Sequence, residues 1–367
     1  MFRKYHFREY RLSLILWVVV LTILGIMIIG SAQQASQTRQ IFGLILGLTI
    51  MLVISLIDYT WLLRFTWIYY IAGVILLALV LFIGENVNGA TRWIRIGIQF
   101  QPSDLMKIIL IIFFAAFFGK HEDDLNTVKI IFSSLLLLGV PLFLIYKEPD
   151  LSTSIVTALT FCAIIFTAGL SFKIIGGILA VFVPLVVIFV SLIMQPGQTI
   201  LQGYQMERIM AWLKPSEYVD KAYQQQNSII AIGSGQLYGK GLNNTSVSSV
   251  KGGNFIAEPQ TDFIFAVAGE ELGFLGCCLI IILELLIAIE CIRVGRRSRD
   301  RAGAMICYGM AALIMFQSFL NVAVTTGLMP NTGIPLPFVS YGVTSLLTLC
   351  IGIGMVLNVG LQSRKYR

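Results

Sequence analysis

"SLILWVVVLTILGIMIIGS", residues 13–31, carries no charged side chain. It is long enough to cross a bilayer as a helix, which takes about 20 apolar residues. Arg3, Lys4, Arg8 and Arg11 precede it and no small-residue cleavage site follows. Further apolar runs come after it, so it is expected to stay as a first membrane span rather than be removed as a signal.

The same pattern recurs along the chain, near 41–57, 66–84, 103–119, 130–147, 151–169, 173–194, 263–292, 302–327 and 338–361. About ten spans are expected. The run at 263–292 exceeds one crossing, so its first part is read as a short helix at the membrane interface. Composition agrees, with 57% hydrophobic and 12% charged residues and a mean hydropathy of +0.85, against about 25% charged in a soluble domain. The expected fold class is all-α: a polytopic integral membrane helix bundle, a single domain over 1–367, with a long outer loop, 195–262, between the seventh and eighth spans. No internal repeat is visible.

Basic residues in short loops set the orientation. With a cytoplasmic N-terminus, an even number of spans returns Arg364, Lys365 and Arg367 to the same side, together with Arg293, Arg296, Arg297, Arg299 and Arg301 of "RVGRRSRDR". Segments 32–40, 85–102, 148–150, 195–262 and 328–337 then lie outside. They and the adjoining span ends hold Arg92, Arg95, Lys107, Arg208, Lys214 and Lys240, facing Asp104, Glu148, Asp150, Glu207, Glu258 and Asp262. Singly, such residues are ordinary loop ion pairs or snorkelling side chains. Collected on one face with turn glycines, they point to an anionic ligand.

Elimination narrows the chemistry. His6 and His121 fall on the cytoplasmic side, which excludes a histidine-based triad outside. Cys162, Cys277, Cys278, Cys291, Cys307 and Cys350 all lie in apolar runs, so neither a disulfide framework nor a Cys/His zinc site is expected. A general base outside must be a carboxylate. Within the long loop, "YQMERIMAWL" reads as an amphipathic helix with Trp212 at headgroup depth, and "NSIIAIGSGQLYGKGL" as a glycine-rich stretch able to approach an anion. The segment is expected to form a lid or wall.

The last outer loop, "NTGIPLPFVSYGVTS" at 331–345, has prolines that cannot continue a helix, and broken backbone at membrane depth must face protein or a water-filled cavity. This loop resembles the signature of the RodA/FtsW family, the shape, elongation, division and sporulation proteins of bacteria. "RWIRIG", "QPSDLMK", "EPDLSTS", "AIGSG", "TDFIFAVAGEELGF" and "PLPFVSYG" occur in the family's order over nearly the whole chain. Asp104 stands where Glu is usual, Glu148 and Ser152 replace Gln and Gly, Gln236 replaces a glycine, and Val343 breaks the usual "SYGGS".

The resemblance implies a peptidoglycan glycosyltransferase of the bacterial cytoplasmic membrane with both termini cytoplasmic. Such an enzyme polymerises lipid II into glycan strands on the outer face, for cell elongation and shape. It implies a class B penicillin-binding protein and other elongation-complex membrane proteins as partners, and no nucleic acid. Overall likeness and short termini favour elongation over division or sporulation.

The family's essential aspartate matches Asp262, expected as the general base. Asp104, Lys107 and Asp150 match further motifs, and Arg92, Arg95, Arg208, Lys240 and Ser340 complete the expected substrate-binding set. A divalent cation, Mg or Mn, bridging a carboxylate and the pyrophosphate is compatible with this chemistry, though no dedicated metal motif is present. Helical spacing puts Ala266 and Gly269 on the face of Asp262, leaving room for a sugar. Glu270 and Glu271 turn away as structural groups or partners of a cation. An ordinary helix N-cap is the bland alternative for Asp262. Two rival classes are a lipid II flippase or other transporter, which calls for inverted repeats, and a non-catalytic scaffold of the cell-wall machinery.

Overall fold

The structure, a computed structural model, describes residues 9–87, 90–96, 98–177, 180, 184, 191, 203–243, 249, 253 and 255–362. In chain order the described elements begin with α1 (Leu12–Ala32), α2 (Gln34–Ser55), the one-turn α3 (Tyr59–Leu62) and α4 (Thr66–Ile83). Three short strands follow, β1 (Glu85–Val87), β2 (Ala90–Ile96) and β3 (Ile98–Phe100). Then come α5 (Pro102–Lys120), α6 (Val128–Lys147), α7 (Leu151–Ala168), α8 (Gly203–Leu213) and α9 (Val219–Ser234). The last three are α10 (Ile264–Arg296), α11 (Arg301–Thr325) and α12 (Val343–Leu361).

Among the described residues nine helical stretches are long and apolar enough to cross a membrane. They match the expected runs except the seventh, 173–194, which lies mostly outside the described residues. The polytopic helical expectation holds, with one addition: 85–100 forms an antiparallel sheet in the order β1-β2-β3, where a loop had been expected.

Small residues let the helices close on one another, as is usual in membrane bundles. A side chain at Gly47 or Gly43 of α2 would meet Cys350 or Val343 of α12, and one at Gly354 would meet the Met51 carbonyl. Val343, a departure from the family pattern, is thus the first residue of α12 and part of this seam. Helix α5 runs through the middle, buried along nearly its whole length. Peripheral α4 and α6 instead turn Trp67, Ile68, Phe82, Phe132, Leu136 and Phe143 outward, the surface a bilayer accommodates.

Helix α10 is two helices. Gly273, at φ +67° and ψ −165°, breaks it, stranding carbonyls before the break and N–H groups after it. Unpaired backbone costs several kcal/mol per group in lipid. The stretch 236–241 pairs four of them: the N–H groups of Lys240 and Gly241 donate to the carbonyls of Glu270 and Glu271 (2.9 and 3.0 Å), and those of Phe274 and Leu275 donate to Gln236 and Leu237 (2.8 and 3.2 Å).

The fit tolerates no side chain at Gly235, Gly239 or Gly273, where an added Cβ would strike Gly269, Glu271 or Gly239. Gln236 itself adopts φ +50°, the left-handed region that favours the glycine its position has in the family motif. The break separates a short first helix from the longer second one, as the length of the run had led one to expect. Residues 264–271 are all buried.

At the end of the bundle away from the sheet, polar side chains close on each other. The Tyr59 hydroxyl donates to Asp300 at 2.8 Å, and Asp300 caps α11 through the Gly303 N–H at 2.7 Å. Asn358 accepts from the Tyr59 N–H and donates to the Ser55 carbonyl, at 2.8 and 2.7 Å. Gln362 donates to Asp58 and Asn358.

Candidate active site

The sheet, the N-termini of α5 and α7, α8, α9, the turn before α10 and the loop before α12 surround a cavity of about 520 Å³. Arg92, Asp104, Asp150, Arg208, Glu258, Asp262, Gln101, Asn331 and Gly333 are among its lining residues. Two arginines, Arg92 and Arg208, line it together with four acids. Arg92 is held by the carbonyls of Glu148 (3.4 Å) and Pro149 (2.5 Å) and lies 3.9 Å from Asp150. Arg208 reaches the Asn331 carbonyl at 3.4 Å. The N-termini of α5 and α7 add their partial positive charge.

Asp150 caps α7 through the Thr153 N–H at 3.0 Å and accepts from Gln101 at 3.0 Å. Asp104, in the first turn of α5, pairs with Lys107 at 2.8 Å, and Lys107 also donates to Gln317 of α11 at 3.1 Å. The short aspartate therefore suffices to reach its lysine.

Asp262 lies two residues before α10. The residue in the N-cap position is Phe263, so the cap reading fails on geometry. Among the described hydrogen bonds none uses the Asp262 carboxylate, which lines the cavity. Burial pushes its pKa from 3.8 up to about 6, with Asp150 and Glu258 raising it further and Arg92 and Arg208 opposing. Gly333, at φ +68°, lies over it: a Cβ there would sit 3.1 Å from Asp262 Oδ2.

Three consecutive carbonyls hold this turn in place. Gln260 O accepts from the Tyr341 N–H at 2.8 Å, Thr261 O from the Ser340 hydroxyl at 2.7 Å, and Asp262 O from the Asn321 amide at 2.9 Å.

The structure thus brings Arg92, Asp104, Asp150, Arg208 and Asp262 around one cavity. Lys107 stands behind Asp104. Ser340 is buried and spends its hydroxyl on the loop, donating to Thr261 and accepting from the Leu336 N–H at 2.7 Å. Arg95 is exposed and lies 3.9 Å from Glu85. Lys240 pairs with Glu270 at 2.8 Å beside the α10 break.

Glu270 and Glu271 are structural, the latter accepting from Ser31. The expectation for Ala266 and Gly269 does not hold. Both are buried, and a Cβ at Gly269 would press on Ile232 of α9, so the small residue admits a helix rather than a sugar. The spacing argument assumed a helix that included Asp262.

Sequence reading passed over Gln101, Glu258, Asn331 and Gly333 as site residues, though each sits beside or inside a quoted motif. The first half of the glycine-rich stretch, 227–234, completes α9. The amphipathic stretch is α8 as expected, with the Trp212 indole donating to the Gly327 carbonyl at 2.8 Å.

Comparison with known proteins identifies the family. A family model described as cell cycle protein, covering FtsW, RodA and SpoVE, matches residues 7–365. The chain belongs to this family. It is 33% identical over 371 residues to a probable peptidoglycan glycosyltransferase FtsW of Coxiella burnetii, covering 95% of this chain and 96% of the relative. It is 32% identical over 363 residues to the peptidoglycan glycosyltransferase MrdB of Escherichia coli, covering 97% and 94%.

Among solved structures, a chain from a study of polymerization and crosslinking by a peptidoglycan synthase complex matches with TM-score 0.81 and 27% identity, covering 97% of this chain and 99% of that one. The rod shape determining protein RodA of Thermus thermophilus matches with TM-score 0.68 and 25% identity, covering 98% of each.

Proposed function

We infer that this chain does what its relatives are named for: it is a peptidoglycan glycosyltransferase, polymerising lipid II. The observation that carries the mechanism is one cavity with a carboxylate of raised pKa on one side and two held guanidinium groups on the other. Lipid II presents a sugar on a lipid pyrophosphate. Arg92, Arg208 and the two helix N-termini receive the pyrophosphate charge. Asp262 takes the proton of the acceptor hydroxyl as its oxygen attacks the anomeric carbon of the donor. The bond from that carbon to the pyrophosphate oxygen breaks, the electron pair leaves with the lipid pyrophosphate, and the α-linked donor becomes a β-linked polymer.

A pKa of about 6 suits the base. It is ionised at neutral pH yet more basic than an ordinary carboxylate. Among the described residues no group of three or more His, Cys, Asp or Glu side chains is placed to hold a metal. Mg or Mn therefore enters this reading only as a companion of the pyrophosphate, and no step depends on it.

The cavity end faces outside and both termini face the cytoplasm. Support comes from the basic loop at 293–301, which lies at the opposite end. Single cysteines added near 220 and 334 should react with a membrane-impermeant thiol reagent in intact cells, and one near 298 should not. The partner is a class B penicillin-binding protein, a reading supported by the likeness to a synthase complex that couples polymerization to crosslinking. Elongation and shape remain the proposed setting, on the match to RodA. Purified protein given lipid II should make glycan strands, and Asp262→Ala should not. Polymer from the Asp262→Ala protein would remove Asp262 from the mechanism, no polymer from the natural protein would favour the scaffold, and transfer of lipid II across a vesicle without polymer would favour the flippase.

A further inference from the structure

The loop that closes the cavity, 331–341, has broken backbone whose carbonyls need partners. Helix α11 supplies two of them from residues one turn apart on the same face. The Gln317 amide donates to Pro335 O at 2.9 Å. The Asn321 amide donates to Ile334 O at 2.7 Å and to Asp262 O at 2.9 Å. Asn321 is 1% exposed and does not line the cavity.

One side chain thus fixes two backbone segments against each other: the turn that carries the base, and the loop whose Gly333 lies 3.1 Å, as a Cβ would measure it, from the Asp262 carboxylate. We propose that Asn321 is the positioning residue of this glycosyltransferase, holding the Asp262 turn and the Gly333 wall in the one relative placement that aims the carboxylate into the cavity. The inference rests on the reading of Asp262 as the base.

The physical reason is the geometry of a single NH2 group. Both its N–H bonds are committed to carbonyls on different segments, so neither can shift without losing a bond inside a buried setting, where an unpaired carbonyl is costly. A base displaced by about 1 Å loses roughly a hundred-fold in rate. Asn358 offers a buried control at the closed end: its amide donates to the Ser55 carbonyl and its oxygen accepts from the Tyr59 N–H and the Gln362 amide.

The test uses full-length purified protein, with lipid II polymerisation scored per folded molecule for Asn321→Leu, Asn358→Leu and Asp262→Asn. Asn321→Leu should lower kcat about ten- to a hundred-fold with KM within about three-fold. Its acid limb should move down from about 6 as the freed carboxylate meets more water. Asn358→Leu should lower the melting temperature with kcat and the acid limb unchanged. Asn321→His, which keeps one donor, should recover part of the rate. If Asn321→Leu is too unstable to purify, Asn321→Ser, which shortens the side chain, serves the same comparison. An Asn321→Leu protein that matched Asn358→Leu in kcat and pH profile, beside an inactive Asp262→Asn, would overturn this inference alone. Polymer from Asp262→Asn at the normal rate would overturn it together with the assignment of the base.

Discussion

The two ends of the bundle are built from similar residues and do opposite things with them. At the closed end, Asp300 accepts from a tyrosine hydroxyl and caps a helix, and Asn358 and Gln362 bind their neighbours. At the cavity end Asp262 has its backbone carbonyl tied and its carboxylate turned to open space. A carboxylate at the closed end spends its lone pairs on stability. Asp262 differs in turning its carboxylate to the cavity, where burial raises its pKa to about 6.

The comparison breaks most sharply on Asp262→Asn. The fold should persist and polymerisation should fall by about 10² to 10⁴, the range for a lost acid-base group. Asp300→Ala should instead cost about 1 kcal/mol of stability with the rate per folded molecule intact. Polymerisation rate and thermal melting of both proteins decide the matter.

Next in size are the arginines. Arg92→Gln and Arg208→Gln should each weaken turnover by about ten- to a hundred-fold, the value of a charge-assisted contact. They should also raise the acid limb of the pH profile, because each guanidinium opposes the rise in the Asp262 pKa. Lys240→Gln and Arg95→Gln, whose charges meet Glu270 and Glu85, should lack that second effect. Equal pH shifts in all four would return Lys240 and Arg95 to the substrate-binding set.

Glu258→Gln removes a charge that raises the Asp262 pKa. Activity needs the ionised base, so it rises with pH through about 6 in the natural protein, and the limb should move to lower pH in the variant. Titration of kcat/KM between pH 4.5 and 8 reads this.

Glu148 sharpens the comparison from the other side. It is fully buried, with no hydrogen-bond partner among the described residues for either carboxylate oxygen, and burial pushes its pKa from 4.5 up to about 9, with Asp150 raising it and Arg92 opposing. Between those values the folded protein holds a proton that the unfolded chain has lost. Stability therefore falls as pH rises from about 4.5 to about 9 and levels off above. Glu148→Gln should flatten that slope, raise the melting temperature at neutral pH and leave polymerisation nearly unchanged.

The spans were legible because a bilayer imposes length and polarity on each one independently. What escaped was decided between segments. The sheet at 85–100 is short and charged on its exposed side. The break at Gly273 hides inside "GEELGFLG", and only the docking of 236–241 makes it tolerable. Lys240 and Ser340 read as site residues because their motifs are outer and polar, yet each is occupied by a partner far away in sequence. Arg92, Asp150, Arg208 and Asp262, expected as a set from charge gathered at span ends and adjoining loops, do line one cavity. Asn321 looks like an ordinary polar residue in a helix until its two carbonyls are seen.

The strap that completes α10 precedes it in the chain. During synthesis residues 236–241 leave the ribosome before the broken helix does, so the donors and acceptors that Gly273 requires are already waiting when it arrives. The order of segments is in this sense part of the folding information, and the break sets the direction in which the molecule can be built.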